Sequence, residues 1–316
     1  MKVLLTGGAG FIGSHLGEAL LARDFDVMAL DNFDDFYDPA IKNANLSTCL
    51  AHNKFKLIRG DIRNSAALDS LLADGGFDTI IHLAAKAGVR PSIADPLGYY
   101  DVNVTGTACL LQAARNAGIS KFLFAGSSSV YGNNQKVPFA ESDNVDFPIS
   151  PYAASKKAGE LLCHTYHHLF DIDITCLRFF TVYGSRQRPD LAIHKFTRLI
   201  EAGQPIPVFG DGSMSRDFTY IDDIIAGVLA AVDRCDGFHI YNLGESQPIR
   251  LDALIVAIEK ALGKKAIIDR QPLQPGDVTR TFADIDLARR ELDYNPSTDL
   301  AHGLQKFVTW FRETHA

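Results

Sequence analysis

The sequence predicts an α/β protein, a doubly wound parallel sheet with a smaller, discontinuous domain toward the C-terminus. Three observations carry the prediction. A short apolar run at 2–6 ends in Gly7-Gly8-Ala9-Gly10-Phe11-Ile12-Gly13 and opens into a helical pattern through Ala22. Apolar runs then recur at 26–30, 55–59, 79–83, 121–125 and 172–178 with helix-length segments between them, the spacing of strand–helix–strand units. Beyond Phe180 this rhythm loosens, and residues 181–215 are rich in Gly, Pro and Arg, with one helix near 193–202. The expected division is a nucleotide-binding domain over 1–180, with about 218–244 returning to the sheet, and a substrate domain over 181–217 and 245–316.

Composition sets the outer limits. The 316 residues allow one large α/β unit or two coupled domains. Hydrophobic residues make up 47% and charged residues 22%, enough for a sizeable core. A net charge of −7 argues against a general nucleic-acid or anionic-membrane binder, so an anionic ligand needs a local basic cluster. The five cysteines are scattered and form no Cys-x-x-Cys, as expected of small core fillers in a reducing compartment. The chain starts on a strand pattern rather than a leader, and the apolar run Ile224–Val232 is too short to span a bilayer. A cytoplasmic protein is expected.

The first strand, glycine turn and helix form a Rossmann-type opening. Gly7, Gly8 and Gly10 allow a tight turn and close approach of a pyrophosphate, and Gly13 permits close helix–strand packing. The free amides at the helix start favour the phosphates. Asp31 ends the second strand, where a carboxylate accepts from adenosine ribose hydroxyls and repels a 2′-phosphate. No arginine follows nearby, so NAD is expected rather than NADP. Asp61 and Ile62 follow the third strand and are placed to flank an adenine. Leu83 and the small Ala84 and Ala85 end the fourth, and a long helical region after Pro96 carries Asn103. Phe11, Ile12 and Asn32 complete the expected cofactor contacts.

The chemistry is expected between Ser127 and Lys156. Ser127-Ser128-Ser129 follows the fifth strand, and ligands of open parallel sheets bind outside the carboxyl ends of strands. Ser150 and Pro151 suit the cap and first position of a helix, on which Tyr152 and Lys156 lie one turn apart on the same face. A phenol with a pKa of about 10 is protonated at neutral pH. A nearby ammonium stabilises its phenolate and makes it a general base. Both cofactor and base therefore converge on one sheet edge. His164, His167 and His168 share a helix face at metal-compatible spacing, but no partner motif surrounds them. A surface or interface cluster is expected there, and no metal.

Together, Thr-Gly-x-x-Gly-x-x-Gly at 6–13, Asp31, Asp61, Ser-Ser-Ser-Val-Tyr-Gly at 127–132 and Tyr152-x-x-x-Lys156 resemble the extended short-chain dehydrogenase/reductases, nucleotide-sugar epimerases and dehydratases. Within that family the chain looks most like UDP-glucuronate 4-epimerases. The likeness lies in Ala-Gly-Val-Arg at 87–90, Arg-Phe-Phe-Thr-Val-Tyr-Gly at 178–184 and Arg-Gln-Arg-Pro-Asp at 186–190. It continues in Ser-Arg-Asp-Phe-Thr-Tyr-Ile at 215–221 and Gln-Pro-Gly-Asp-Val at 274–278. The resemblance implies a tightly held NAD, a UDP-sugar substrate and a homodimer formed through helices at 97–117 and 151–170. It implies Ser127, Tyr152 and Lys156 as catalytic residues, and Arg90, Ser127, Ser128, Thr181, Arg188, Arg216 and Asp277 as substrate contacts. Arg216 would pair with the diphosphate, while Arg188, with Arg186 in competition, would clamp a sugar carboxylate.

Departures from relatives narrow the reaction. The sugar dehydratases carry Asp-Glu where this chain has Ser128 and Ser129, so the elimination pair is missing. UDP-glucuronate decarboxylases usually carry glutamate at the position of Ser129. UDP-galactose 4-epimerases usually carry asparagine at Thr181, which favours a uronate here. Lys86 stands where glucuronate epimerases tend to have glutamine, and Gln274 where galactose epimerases use arginine. The expected activity is C4 epimerisation of UDP-glucuronate to UDP-galacturonate. A UDP-glucose/UDP-galactose or UDP-N-acetylhexosamine 4-epimerase is the nearest alternative, and a catalytically silent NAD-binding regulator is the alternative of another class.

Overall fold

The first six strands lie in one sheet: β1 (Lys2–Thr6), β2 (Asp26–Asp31), β3 (Phe55–Arg59), β4 (Thr79–His82), β5 (Lys121–Ser127) and β6 (Asp173–Phe179). The strand Phe238–Leu243 completes it, in the spatial order 238–243, β6, β5, β4, β1, β2, β3. The computed structural model describes residues 1–272 and 278–315. Pairing of β1 with β2 and β4, of β2 with β3 and of β4 with β5 is parallel. Parallel strands are covered on both faces, which is why β4 is buried throughout and β5 from Phe122 to Ser127, and why both read as unbroken apolar runs. The strand order reverses between β1 and β4, the crevice where such sheets take ligands. Doubly wound α/β architecture is thus the observed fold.

The chain divides into two compact units. Unit 1 comprises 1–132, 143–178 and 225–241, and unit 2 comprises 133–142, 179–224 and 242–316. Two segments differ from the sequence expectation. Residues 133–142 belong to unit 2, because Phe139 N–H donates to Phe282 O at 2.7 Å and Asp284 N–H donates to Phe139 O at 2.9 Å. The segment returning to the sheet begins at 225 rather than 218, because Ser215–Tyr220 is a strand paired with Thr181–Tyr183. Strand and helix abut at Tyr220 and Ile221 with no turn residue between them, so the apolar run hides the junction.

The expected long helix after Pro96 is continuous and carries a π-helical turn in its middle. It runs as Pro96–Tyr100, a π-helical turn Asp101–Thr105 and Gly106–Asn116. Unit 2 holds the three-stranded sheet 248–250, 215–220, 181–183 and the parallel pair 267–271, 205–209, whose strands sequence periodicity missed. Among the described residues, no helix is long and apolar enough to cross a membrane.

Candidate active site

The glycine turn is shaped by close backbone approach. Gly7 has φ +71°, and a Cβ there would lie 2.7 Å from Ala84 N; a Cβ on Gly13 would collide with Gly7 O. Asp31 is buried, and its Oδ2 accepts from Ala9 N–H at 3.0 Å while Oδ1 accepts from Phe33 N–H at 2.8 Å. The carboxylate therefore pins the turn and retains lone pairs for ribose hydroxyls. Phe11 and Ile12 form the first turn of the following helix. Asn32 Nδ2 donates to Asp61 Oδ2 at 3.1 Å. Arg63 lies 2.6 Å from Asp61, and its hydrogen bond holds that carboxyl well below the usual carboxylate range. Ile62 is buried, and Leu83 and Ala84 are tied to Thr6 through their N–H groups at 3.1 and 3.2 Å, with Ala85 next in the chain.

The parallel register also sets Arg59 opposite Asp31, a proximity invisible in sequence order. Its guanidinium sits 4.1 Å over the Phe33 ring and donates to Asn43 Oδ1 at 3.1 Å. These residues fit a dinucleotide: backbone room at the glycines, an anchored carboxylate at the end of β2 and free amides at a helix start.

The catalytic helix is Pro151–Phe170, with Pro151 in its first turn and Ser150 Oγ accepting from Ala153 N–H at 3.1 Å. Lys156 is buried, and its Nζ donates to Ala125 O on β5 at 2.7 Å and lies 5.1 Å from the Phe124 ring. Burial pushes the ammonium down to about 8, against the opposing pull of Cys163 and Glu160. Tyr152 meets the Tyr99 ring edge-on at 6.3 Å. Ser127 ends β5; its Oγ lies 2.8 Å from Ser129 Oγ and accepts from Ser129 N–H at 3.2 Å. Ser128 and Ser129 open the 3-10 turn Ser128–Tyr131 and supply hydroxyls where the dehydratases carry carboxylates.

Asn103 is a clamp. Its Nδ2 donates to Lys86 O and Ser155 Oγ, both at 2.9 Å, and its Oδ1 accepts from Lys86 N–H at 2.8 Å. Both amide protons are thus taken by protein. Lys86 Nζ pairs with Asp95 at 2.7 Å. Arg90 is exposed on the short helix Val89–Ala94.

Unit 2 carries the remaining candidates. Thr181 and Arg216 lie on neighbouring strands of the three-stranded sheet. Arg216 Nη1 donates to Ser215 O at 2.9 Å, while Asp217 points the other way into the core. There Asp217 accepts from the N–H groups of Glu245, Ser246 and Ala283 at 2.8, 3.0 and 2.9 Å. Arg188 is bound edge-on by Asp190, Nε to Oδ1 at 3.0 Å and Nη2 to Oδ2 at 2.8 Å. Its competitor Arg186 has φ +63°, a left-handed backbone unusual for a side-chain-bearing residue. Asp277 and Gln274 lie outside the described residues.

Sequence reading missed several residues here. Arg178 forms a buried bidentate pair with Glu160 at 2.7 and 2.9 Å and donates to Tyr131 Oη at 2.9 Å, under the turn that carries the serines. His82 ends β4 between the cradle and the catalytic helix, and Ser155 lies on that helix. The only signal for them was position beside a named motif. Of the histidine cluster, the His164 and His168 rings stack 6.4 Å apart, and His167 Nδ1 lies 2.9 Å from Ile172 O. Among the described residues, no three His, Cys, Asp or Glu side chains form a metal-binding group.

Known proteins share this fold over nearly the whole chain. Residues 4–307 match the family model described as GDP-mannose 4,6 dehydratase. The chain belongs to this family of extended short-chain dehydrogenase/reductases. A UDP-glucuronate 4-epimerase of Thermodesulfobacterium geofontis is 42% identical over 98% of this chain and 96% of its own length. The structure of UDP-glucuronic acid 4-epimerase from Bacillus cereus, in complex with UDP-glucuronic acid and NAD, superposes with a TM-score of 0.94 at 39% identity, covering 99% of this chain and 100% of that one. DesIV, a dTDP-glucose 4,6-dehydratase from Streptomyces venezuelae with NAD bound, shares the fold at a TM-score of 0.93 but only 32% identity, over 100% of this chain and 98% of that one.

Proposed function

We propose that this chain is an NAD-dependent isomerase that interconverts UDP-glucuronate and UDP-galacturonate at C4. The carboxyl end of β5 carries the reading: Ser127 ends the strand, Ala125 O holds the buried Lys156, and serines occupy 128 and 129. Oxidation at C4 is supported by the Tyr152–Lys156 pair, and elimination has no acid or base at those serines. The Bacillus cereus epimerase, which holds UDP-glucuronic acid and NAD, supports the same choice of sugar.

NAD, when bound, accepts the hydride of C4 and returns it. The chain does the rest. Gly7, Gly10 and Gly13 leave room for the pyrophosphate, and Asp31 takes ribose hydroxyls. Tyr152 removes the 4-hydroxyl proton, Lys156 stabilises the phenolate, and Ser127 hydrogen-bonds the same hydroxyl. The 4-keto sugar then turns about its link to the diphosphate and receives the proton of Tyr152 on the product. Arg216 pairs with the diphosphate, with Arg90, Ser128 and Asp277 as further substrate contacts. Thr181 and Arg188 hold the sugar carboxylate. Asp190 holds the Nε–Nη2 edge of Arg188, so the carboxylate meets a guanidinium that is fixed in place.

Incubating the pure protein separately with UDP-glucuronate and UDP-glucose, with products identified by proton NMR, tests the assignment. UDP-galacturonate from the first is the expected result. Conversion of UDP-glucose alone would replace it with a neutral-hexose epimerase, and conversion of neither with a silent NAD-binding protein. We also propose a cytoplasmic homodimer. Leu97 is 80% exposed, and Leu161 and Leu169 are 57% and 59% exposed, apolar surface on the two helical segments expected to pair. Light scattering should give twice the 34.6 kDa chain mass; a monomer at micromolar concentration refutes the pairing. A signal confined to a cell's soluble cytoplasmic fraction checks the location.

A further inference from the structure

A buried chain of hydrogen bonds runs through unit 1 from the end of β1 to the catalytic helix, and the mechanism above uses none of its middle members. Thr6, His82, Thr107, Asn103 and Ser155 are each at most 2% exposed or fully enclosed. Ala84 N–H donates to Thr6 Oγ1 at 3.2 Å, which leaves the Thr6 proton for His82 Nδ1 at 2.7 Å. At the other side of the ring, Thr107 gives its own proton to Asn103 O at 2.6 Å, so toward His82 Nε2, at 3.0 Å, it accepts. Both ring nitrogens are therefore satisfied by one species, the neutral Nε2–H tautomer. Donation then continues in the same sense. Asn103 Nδ2 donates to Ser155 Oγ at 2.9 Å, and Ser155 donates to the backbone carbonyl of Tyr152 at 2.8 Å.

The two ends of this chain matter. Thr6 immediately precedes Gly7, whose missing Cβ lets the backbone meet Ala84. Tyr152 is the base. The His82 ring packs against Phe122 and Phe124, each 5.9 Å away, and Phe124 in turn faces the Lys156 ammonium. A ring fixed on two hydroxyls and two aromatics transmits position well, because turning it breaks both hydrogen bonds at once.

We propose that His82 is a positioning residue for the C4 epimerisation, locking the dinucleotide cradle to the Tyr152 turn through this one-way chain. The proposal rests on the epimerase reading for its kinetic test and on the fold alone for its exchange test. Two variants probe it in the purified protein with its bound cofactor. His82→Phe keeps an aromatic between Phe122 and Phe124 and removes both hydrogen bonds. Thr107→Val keeps the volume and cuts the chain between His82 and Asn103. Each should lower kcat on UDP-glucuronate by about 10- to 100-fold with KM within about twofold, because a displaced base costs the chemical step more than binding. NAD content per chain, measured after denaturation, should stay within about twofold of the parent. Amide hydrogen exchange over 151–156 should quicken in both variants while that of unit 2 stays unchanged. His82→Gln, which restores a donor toward Thr107, should recover part of the lost kcat. If His82→Phe does not fold, Thr107→Val carries the test. A kcat within threefold of the parent in Thr107→Val, or unaltered exchange over 151–156, overturns the proposal. An inactive parent protein would instead overturn the epimerase reading, leaving exchange to judge the chain.

Discussion

Lys156→Met should make the protein inactive and, at neutral pH, no less stable. Burial lowers the ammonium from 10.5 to about 8. At about 1.4 kcal/mol per pH unit, keeping that charge buried costs the native state about 3 kcal/mol at pH 7. Methionine removes the cost and fills similar volume, but leaves Ala125 O without its 2.7 Å donor, a loss of roughly 1–3 kcal/mol. The net gain at pH 7 is about 0–2 kcal/mol. The pH dependence decides. Between about 8 and 10.5 the unfolded lysine holds a proton that the native one has released, so stability of the parent rises with pH in that window. The methionine variant has no such rise. Its advantage should therefore shrink by about 1 kcal/mol from pH 7 to pH 9, whatever the constant loss at Ala125. Urea unfolding of both proteins, stripped of NAD so that ligand does not bias the native state, reads this directly. A difference that is flat or grows with pH would show that the native ammonium is not held at a cost, and the reasoning on its burial fails.

Three further perturbations address the site. Tyr152→Phe keeps the ring that meets Tyr99 but not the titrating oxygen, so bound NAD should persist while turnover falls at least about 10²-fold; near-normal turnover refutes the base. Gly13→Ala forces a Cβ against Gly7 O and should cut NAD content at least about tenfold, read after denaturation of the purified protein; stoichiometric NAD would show that the turn adapts. Arg188→Ala should weaken turnover of UDP-glucuronate far more than residual activity on UDP-glucose and release some UDP-pentose, because a 4-keto uronate is a β-keto acid whose carboxylate must be kept off the perpendicular. Contacts of this charge-assisted kind contribute roughly 1.5–3 kcal/mol each, so equal losses on both sugars would assign Arg188 to the shared nucleotide.

What the sequence disclosed was local. The glycine turn, Asp31, the Ser150–Pro151 helix start and the Tyr152–Lys156 spacing each depend on residues within one or two turns of one another. What it concealed depends on contacts across many residues. Nothing near position 139 announces that Phe139 bridges Ala283, and nothing near 31 announces Arg59 in register. Arg188 was expected to clamp a carboxylate, but its grip by the aspartate two residues on was not legible, because Asp190 reads equally well as a solvated charge. Asn103 was expected among the cofactor contacts from its place on the helical region after Pro96. Its function as a clamp on Lys86 and Ser155 needed the π-helical turn, which no periodicity reports.

His82 and Lys156, both buried in unit 1, settle where the positive charge beside the catalytic helix resides. Burial lowers both, His82 to about 3 and Lys156 to about 8, and the lysine charge lowers the histidine further. At neutral pH the imidazole is therefore uncharged and the ammonium keeps its proton. The reverse arrangement would fail twice: an imidazolium would leave the Thr6 hydroxyl without an acceptor at Nδ1, and its charge would drive the proton off Lys156. The phenol of Tyr152 would then lose the cation that brings its oxygen within reach of neutral pH. Hydroxyls at Thr6 and Thr107 fix the neutral tautomer, and the carbonyl of Ala125 receives the ammonium. The fold accepts the cost of the buried Lys156 ammonium beside the carboxyl end of β5, and the neutral His82 keeps a second charge from opposing it.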